Sequence, residues 1–189
     1  PDELPDAAGF VHRIRSAHPE VVGIVHAVNG SKAEISTGLD STPLWGRPYL
    51  LERVAGVLVN VSIDAFFQTN TLMAHALYGL VAREAGLADA AADGPVPDAG
   101  AAEPAADGPG RPDAPVVWDL YSGVGSIGLS LAGRAAAVLG IEAVAAAVRD
   151  ARHNARLNAI ANAQFVEGDV AKVLREVADG ERKLPEGLE

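Results

Sequence analysis

Apolar residues in the first third of the chain form short runs separated by turn-forming residues. Val21–Val28 is rich in β-branched residues, and Asn29-Gly30 is typical of a hairpin turn, so Lys32–Ser36 is predicted to be the returning strand. Apolar runs at Tyr49–Val54 and Val57–Val61 predict two further strands. This part of the chain is therefore expected to form a small antiparallel sheet.

A helical pattern follows the predicted strands. Asn70 or Thr71 can cap the helix at its N-terminus, and Gly86 marks its end. Apolar residues at helical spacing predict which face is buried. That face consists of Met73, Ala76, Leu77, Leu80 and Val81.

After residue 115 the pattern changes to alternating strands and helices. The predicted strands are Val116–Leu120, Ala137–Ile141 and Gln164–Val166. The predicted helices are Ser126–Ala132, Ala143–Asn158 and Val170–Val177. This alternation indicates a parallel sheet with crossover helices, and ligands of such sheets bind beyond the carboxyl ends of the strands. The expected fold class is α/β, with a small antiparallel β region before the parallel sheet.

A segment of unusual composition separates the two patterns. Residues 88–115 contain 10 Ala, 6 Pro, 6 acidic residues and 4 Gly. They have almost nothing to bury, and proline interrupts helices and β-ladders, so we predict a disordered insertion. The remaining organisation is an N-terminal extension with the antiparallel region over 1–65, a linking helix region over 66–87, and an α/β domain over 116–189.

Composition and charge narrow the functional classes. The chain has 189 residues, no cysteine and a net charge of −10, and half of that charge lies in the predicted insertion. RNA therefore stays open as a partner. The missing cysteines exclude a disulfide framework, a thiolate metal site and a cysteine nucleophile within the chain. The five histidines have no ligand-like spacing, and no apolar run approaches the ~20 residues of a membrane helix, so neither a metal nor a membrane is expected.

Candidate chemistry lies at the carboxyl ends of the three predicted parallel strands. The first strand leads through Asp119 into a G-x-G-x-x-G turn over residues 123–128, a pattern shared by dinucleotide enzymes and methyltransferases. Glu142 ends the second strand and suits ribose hydroxyls, and Asp169 follows the third and suits an adenine amino group. Three acids favour a cationic sulfonium ligand, because a carboxylate at Asp119 would repel a pyrophosphate. The alternative is that Asp119 caps the turn and that Glu142 is only a solvated strand end.

Several segments together resemble the S-adenosylmethionine-dependent RNA uracil-C5 methyltransferases. They are Ser62–Asn70, Asp119–Leu129, Gly140–Glu142 and Asn154–Asn158. The similarity covers roughly residues 20–87 and 116–175. Phe66-Phe67-Gln68-Thr69-Asn70 is its most specific element, because methyltransferases in general do not share it.

The resemblance implies a Rossmann-like methyltransferase domain that transfers a methyl group from S-adenosylmethionine to C5 of a uridine in tRNA or rRNA. It implies an intracellular protein, with cytoplasm and organelle both open. Phe66 and Gln68 would contact the target base. The implied cofactor-binding residues are Gln68, Tyr121, Gly123, Gly125, Ser126, Glu142 and Asp169. Core packing is the alternative for Tyr121, and helix capping is the favoured role of Asn70.

The chain also departs from this family. Its members add a cysteine thiolate to uracil C6 and later remove the C5 proton with a base, and both groups belong to segments after the third strand. We therefore expect the nucleophile and the base beyond Glu189 and assign no catalytic residue here. The start at Pro1 likewise predicts a fragment, which is expected to bind cofactor weakly and not to methylate. A parallel sheet that lacks its later strands predicts an exposed edge that favours homo-oligomers.

Other functions stay open on the sequence. One is methyl transfer to a small molecule or a protein, and a less favoured one is dinucleotide-dependent oxidoreduction. A non-catalytic RNA-binding or interaction module derived from such an enzyme is a third. Arg149, Arg152 and Arg156 share one helix face, for which a solvated surface is favoured over a phosphate-facing stripe.

Overall fold

The computed structural model describes residues 4–28, 40–63, 65–87, 111–185 and 188. The predicted hairpin turn and its returning strand over 29–36 lie outside the described residues, as does most of the predicted insertion. Arg111 and Pro115 at the end of that insertion are described: the Arg111 amide donates to the Ala135 carbonyl, and the Pro115 carbonyl accepts from Ala136.

The N-terminal part contains a helix and a strand that the sequence analysis did not predict. Helix α1 spans Ala7–Ala17, and the side chain of Asp6 caps it by accepting from the Gly9 amide at 3.1 Å. Strand β1 (Gly23–Val28) pairs antiparallel with β2 (Asp40–Gly46). The Arg15 guanidinium lies 4.3 Å from the centre of the Trp45 ring and holds α1 against β2.

The two strands predicted from apolar runs at Tyr49–Val54 and Val57–Val61 are confirmed. Strand β3 (Tyr49–Val54) and strand β4 (Val57–Ser62) form an antiparallel hairpin. The two residues between them, Ala55 and Gly56, both have positive φ, of 47° and 81°. That backbone matches the twist of a two-residue hairpin. The expected single antiparallel sheet is wrong in one respect, because β1–β2 and β3–β4 form two separate sheets.

Helix α2 spans Thr71–Glu84, and Asn70 caps it by accepting from the Met73 amide at 3.1 Å. The predicted buried face is wrong. Met73 is 63% exposed, and Leu77 and Leu80 are also exposed, whereas the helix packs inward through a neighbouring face. That buried face consists of Ala74, Tyr78 and Ala82.

The second half has the predicted alternation of strands and helices. The strands are β5 (Val116–Leu120), β6 (Ala137–Glu142) and β7 (Ala163–Glu167). The helices are α3 (Ser126–Leu131), α4 (Ala145–Leu157) and α5 (Val170–Ala178). The three strands form a parallel sheet in the order β5-β6-β7, so the predicted α/β class is confirmed.

Polar side chains of α4 cover the free edge of β4. Asp150, Asn154 and Asn158, spaced by four residues, lie on one helix face, and we name them the α4 ladder. Asp150 accepts from the Ser62 amide at 2.8 Å. Four residues of helix and two of strand both advance about 6–7 Å, so each ladder residue meets the next outward-facing backbone group.

The asparagines of the α4 ladder both donate and accept. Asn154 accepts from the Asn60 amide at 2.7 Å and donates to the Asn60 carbonyl at 3.1 Å. Asn158 makes the same pair of bonds with Leu58, at 2.8 and 2.7 Å. The ladder thus satisfies backbone groups that an edge strand would otherwise leave unpaired, and it joins the β3–β4 hairpin to the α/β part.

Opposite the ladder, α4 is tied to the parallel sheet. Arg152 donates from Nε and Nη2 to the Phe165 carbonyl at 3.1 and 2.7 Å. Arg152 therefore anchors α4 to β7. In the described parts of the chain, no helix combines the length and apolar character needed to cross a bilayer.

Candidate functional site

The loop between β5 and α3 turns sharply at the carboxyl end of the first parallel strand. Tyr121, Gly123 and Gly125 all have positive φ, of 63°, 54° and 79°. The Gly125 amide donates to the Ser122 carbonyl at 2.8 Å, which closes the turn. We call residues 121–126 the glycine turn. A positive φ is unfavourable for residues that carry a Cβ, which explains why two of these three positions are glycines.

The two glycines of the turn face different surroundings. A Cβ at Gly125 would lie 2.7 Å from the Phe165 ring and 3.1 Å from the Ala151 side chain, so this position is closed by the core. Among the residues that the structure describes, a Cβ at Gly123 would meet nothing closer than the Phe66 carbonyl oxygen at 3.8 Å. Open space beside Gly123 lets another molecule approach the backbone there.

Glu142 at the end of β6 supports the glycine turn from the neighbouring strand. Its Oε2 accepts from the Gly123 amide at 3.0 Å, and its Oε1 accepts from the Val144 amide at 2.8 Å. Each carboxylate oxygen keeps a further lone pair for a ligand hydroxyl. The side chain is therefore oriented by two backbone donors at the place where the sequence predicts ribose binding.

Asp119 lies behind the turn and supports α3. Its Oδ2 accepts from the Gly128 amide at 2.9 Å. Burial raises the pKa of Asp119 to about 6, an effect opposed by the Gly128 hydrogen bond and increased by the negative charge of Glu142. The protonated form is thus favoured by the fold relative to the unfolded chain.

The raised pKa of Asp119 predicts a pH dependence of stability. Its pKa is 3.8 in the unfolded reference and about 6 in the fold. The stabilising contribution of the protonated acid is therefore fully present below about pH 4 and is lost as pH rises through 6. As pH rises from 4 to 7, the original chain loses this contribution and Asp119→Asn does not. We therefore expect the unfolding free energy of Asp119→Asn to rise relative to that of the original chain by about 1–2 kcal/mol over this interval, after allowance for solvent screening.

Urea unfolding at the two pH values measures this difference. Asp113→Asn is the matched control, because Asp113 is exposed in the same domain. A difference between Asp119→Asn and the original chain that stays constant from pH 4 to pH 7 would contradict the expectation.

Asp169 occupies the third strand end as a helix cap. It is the N-cap of α5, and its Oδ1 accepts from the Lys172 amide at 2.9 Å. All three acids thus accept hydrogen bonds from backbone amides of a turn or helix, so Glu142 is more than a solvated strand end. In the part of the chain that the structure describes, Asp119, Glu142 and Asp169 have no cationic side chain in ion-pair contact.

The Phe66–Asn70 element lies beside the glycine turn, since the Phe66 carbonyl is next to the open space at Gly123. The Phe66 side chain is 76% exposed, Gln68 is exposed, and Phe67 packs against the main core cluster. Tyr121 is 72% exposed, so the core-packing alternative for it is wrong. The structure therefore brings the backbone of Phe66 close to the glycine turn and leaves the rings of Phe66 and Tyr121 on the surface.

Two residues that hold the turn were given no role from the sequence, although Asn154 begins one of the segments that carry the resemblance. The Tyr78 hydroxyl lies 2.7 Å from Ser126 Oγ, and Asn154 donates from Nδ2 to the Val124 carbonyl at 3.0 Å. The four-residue spacing of the α4 ladder is a sequence signal that could have indicated Asn154. Nothing local marks Tyr78. In the described ranges, no group of three or more histidine or acidic side chains is placed to hold a metal.

Sequence comparison relates the chain to methyltransferases. Residues 113–182 match the family described as a methyltransferase domain. The chain is 35% identical over 179 residues to an uncharacterized RNA methyltransferase of Nitratidesulfovibrio vulgaris, covering 95% of this chain and 33% of that protein. A second uncharacterized RNA methyltransferase, of Halalkalibacterium halodurans, is 32% identical, and the match covers 92% of this chain and 32% of that protein. The chain spans about a third of the length of these relatives.

Solved structures agree with the fold. The tRNA (uracil-54, C5)-methyltransferase of Pyrococcus abyssi, solved with S-adenosyl-L-homocysteine, superposes with a TM-score of 0.57 at 25% identity, over 88% of this chain and 33% of that one. Trm5b of the same organism superposes with a TM-score of 0.52 at 19% identity, over 90% and 44%. Residues 113–182 thus match a methyltransferase domain in sequence, and the chain has the Rossmann-like fold of methyltransferases.

Proposed function

We propose that this chain is the S-adenosylmethionine-binding part of an RNA methyltransferase that acts on C5 of a uridine. The observation that carries the proposal is the placement of the Phe66–Asn70 element beside the open position at Gly123, whose amide donates to Glu142. A cofactor seated against the turn and a base seated against the element would be neighbours. Methyl transfer requires that proximity.

The acids of the turn suit this cofactor. S-adenosylmethionine supplies a methyl group on a positively charged sulfur and leaves as S-adenosylhomocysteine. Glu142, oriented by the Gly123 and Val144 amides, would accept the ribose hydroxyls. Asp169, held at the start of α5, would face the adenine end. Carboxylates at the strand ends would disfavour the phosphates of a dinucleotide.

The exposed aromatic ring supports a nucleobase as the acceptor. Phe66 is 76% exposed, so its ring is accessible to another molecule. Single-stranded bases stack on such rings, and an enzyme that modifies a base must first take it out of the stack. The proposal of C5 of uridine also rests on the Phe66–Asn70 element and on the name of the Pyrococcus abyssi relative.

Titration calorimetry of the chain with S-adenosylhomocysteine and with NAD tests the cofactor. We expect saturable one-to-one binding of S-adenosylhomocysteine and no heat with NAD, because the turn is lined by acids. NAD binding without a response to S-adenosylhomocysteine would overturn the proposal.

A second experiment tests whether the chain alone methylates RNA. The chain has no cysteine to add to uracil C6, so the 189 residues alone are expected to form no 5-methyluridine from S-adenosylmethionine and tRNA or rRNA. A longer relative with the same glycine turn serves as the positive control. Formation of 5-methyluridine by the chain alone would contradict the proposal that this chain supplies the cofactor-binding part without the nucleophile.

A further inference from the structure

The glycine turn is tied to α2 by one buried pair of hydroxyls. Tyr78 is 2% exposed and Ser126 is 7% exposed, and their oxygens lie 2.7 Å apart. Ser126 is the first residue of α3 and directly follows Gly125, whose φ is 79°. The bond therefore holds the end of the turn at the point where the backbone is least restrained by its own side chains.

The surroundings of Tyr78 separate its ring from its hydroxyl. The ring belongs to the main core cluster, together with Val124 of the turn and Leu129 of α3. A phenylalanine at this position would keep that packing and lose only the bond to Ser126. The serine hydroxyl would then be buried without this partner, so the turn would gain freedom to move.

Helix α2 also connects the turn to the Phe66–Asn70 element. Asn70 caps α2, and Gln68 precedes the cap by two residues. Tyr78 lies two helical turns further along the same helix. One rigid element thus reaches both sides of the proposed reaction centre.

We propose that Tyr78 is a positioning residue, whose bond to Ser126 sets the glycine turn in register with the Phe66–Asn70 element. This inference rests on the proposed function. Tyr78 touches neither cofactor nor base in this role, and it acts through Ser126. Its effect is to restrain the turn before the cofactor arrives, so the cofactor does not have to order it.

Tyr78→Phe is expected to weaken S-adenosylhomocysteine binding about 5- to 10-fold, the loss typical of one buried hydrogen bond. Ser126→Ala should weaken it at least as much, because Ser126 is also an implied cofactor contact. Adding Tyr78→Phe to Ser126→Ala should cause no further loss, because the bond between the two hydroxyls is then already absent. Calorimetry well below the unfolding temperature of every variant separates affinity from stability. Tyr49→Phe is the matched control, since Tyr49 is an exposed tyrosine on β3.

Amide hydrogen exchange gives a readout that needs no ligand. The Gly128 amide donates to Asp119, and the Leu129 amide donates to the Gly125 carbonyl. We expect both amides to exchange faster in Tyr78→Phe, with β6 amides unchanged. Wild-type affinity or fully additive losses in the variants, or unchanged exchange at these two amides, would overturn the inference. Absence of S-adenosylhomocysteine binding by the original chain would overturn only the proposed function, because the exchange result stands by itself.

Discussion

Asn154→Ala is expected to lower the unfolding free energy by about 3–5 kcal/mol. Asn154 is fully buried, and its amide bonds to the Asn60 amide, the Asn60 carbonyl and the Val124 carbonyl. Alanine would leave three buried backbone groups without a partner, and each such group costs about 1–3 kcal/mol. The better helix propensity of alanine offsets only a few tenths of a kcal/mol of this cost.

Urea unfolding at 25 °C measures the effect. The matched control is His153→Ala, because His153 is the preceding residue of α4 and is exposed. Asn158→Ala is expected to fall between the two, since Asn158 makes the same kind of bonds with Leu58 in a partly exposed position. A loss for Asn154→Ala no greater than that for His153→Ala would contradict the role of the α4 ladder.

Glu142→Gln is expected to weaken S-adenosylhomocysteine binding about 30- to 300-fold, from the loss of charge-assisted hydrogen bonds worth about 2–3.5 kcal/mol. Glu142 now accepts from two backbone amides, Gly123 and Val144. A glutamine has only one acceptor oxygen, so its NH₂ group would face a second donor. The variant would disturb the turn and remove the charge proposed to receive the ribose hydroxyls.

The sheet supplies a matched control for this charge change. Glu167 is the register partner of Glu142 on β7, ends its strand in the same way and is exposed. Calorimetry should show a loss of less than about 3-fold for Glu167→Gln, as for a surface charge. Equal losses for the two variants would mean that a general loss of negative charge, and no specific contact of Glu142, determines the affinity.

The α/β part of the fold was predictable because its signals are local. Continuous apolar runs followed by glycine or acidic residues mark β5, β6 and β7, and each strand appears within two residues of its predicted bounds. The acids predicted at the three strand ends lie there because parallel strands end at one edge of the sheet. What they contact at that edge, such as the Gly123 amide for Glu142, depended on the path of the turn.

The buried face of α2 was mispredicted for a physical reason. Periodicity selects the larger apolar residues, and these include Met73, Leu77 and Leu80. The helix instead packs through Ala74 and Ala82, whose small side chains allow close approach, with Tyr78 between them reaching Ser126. A pattern of hydrophobicity does not reveal which face has a partner of the right shape.

The sequence by itself determined the order of strands and helices, the position of the glycine turn and the acids at the strand ends, since each depends on neighbouring residues. Only the tertiary structure decided that the antiparallel strands form two pairs, that Tyr78 holds Ser126, and that Asn154 joins β4 to the turn. The bond between Tyr78 and Ser126 links residues 48 positions apart, and the bond between Asn154 and Asn60 links residues 94 positions apart. Such partners come together only when the burial of apolar surface compensates for the conformational entropy that the chain between them loses on folding.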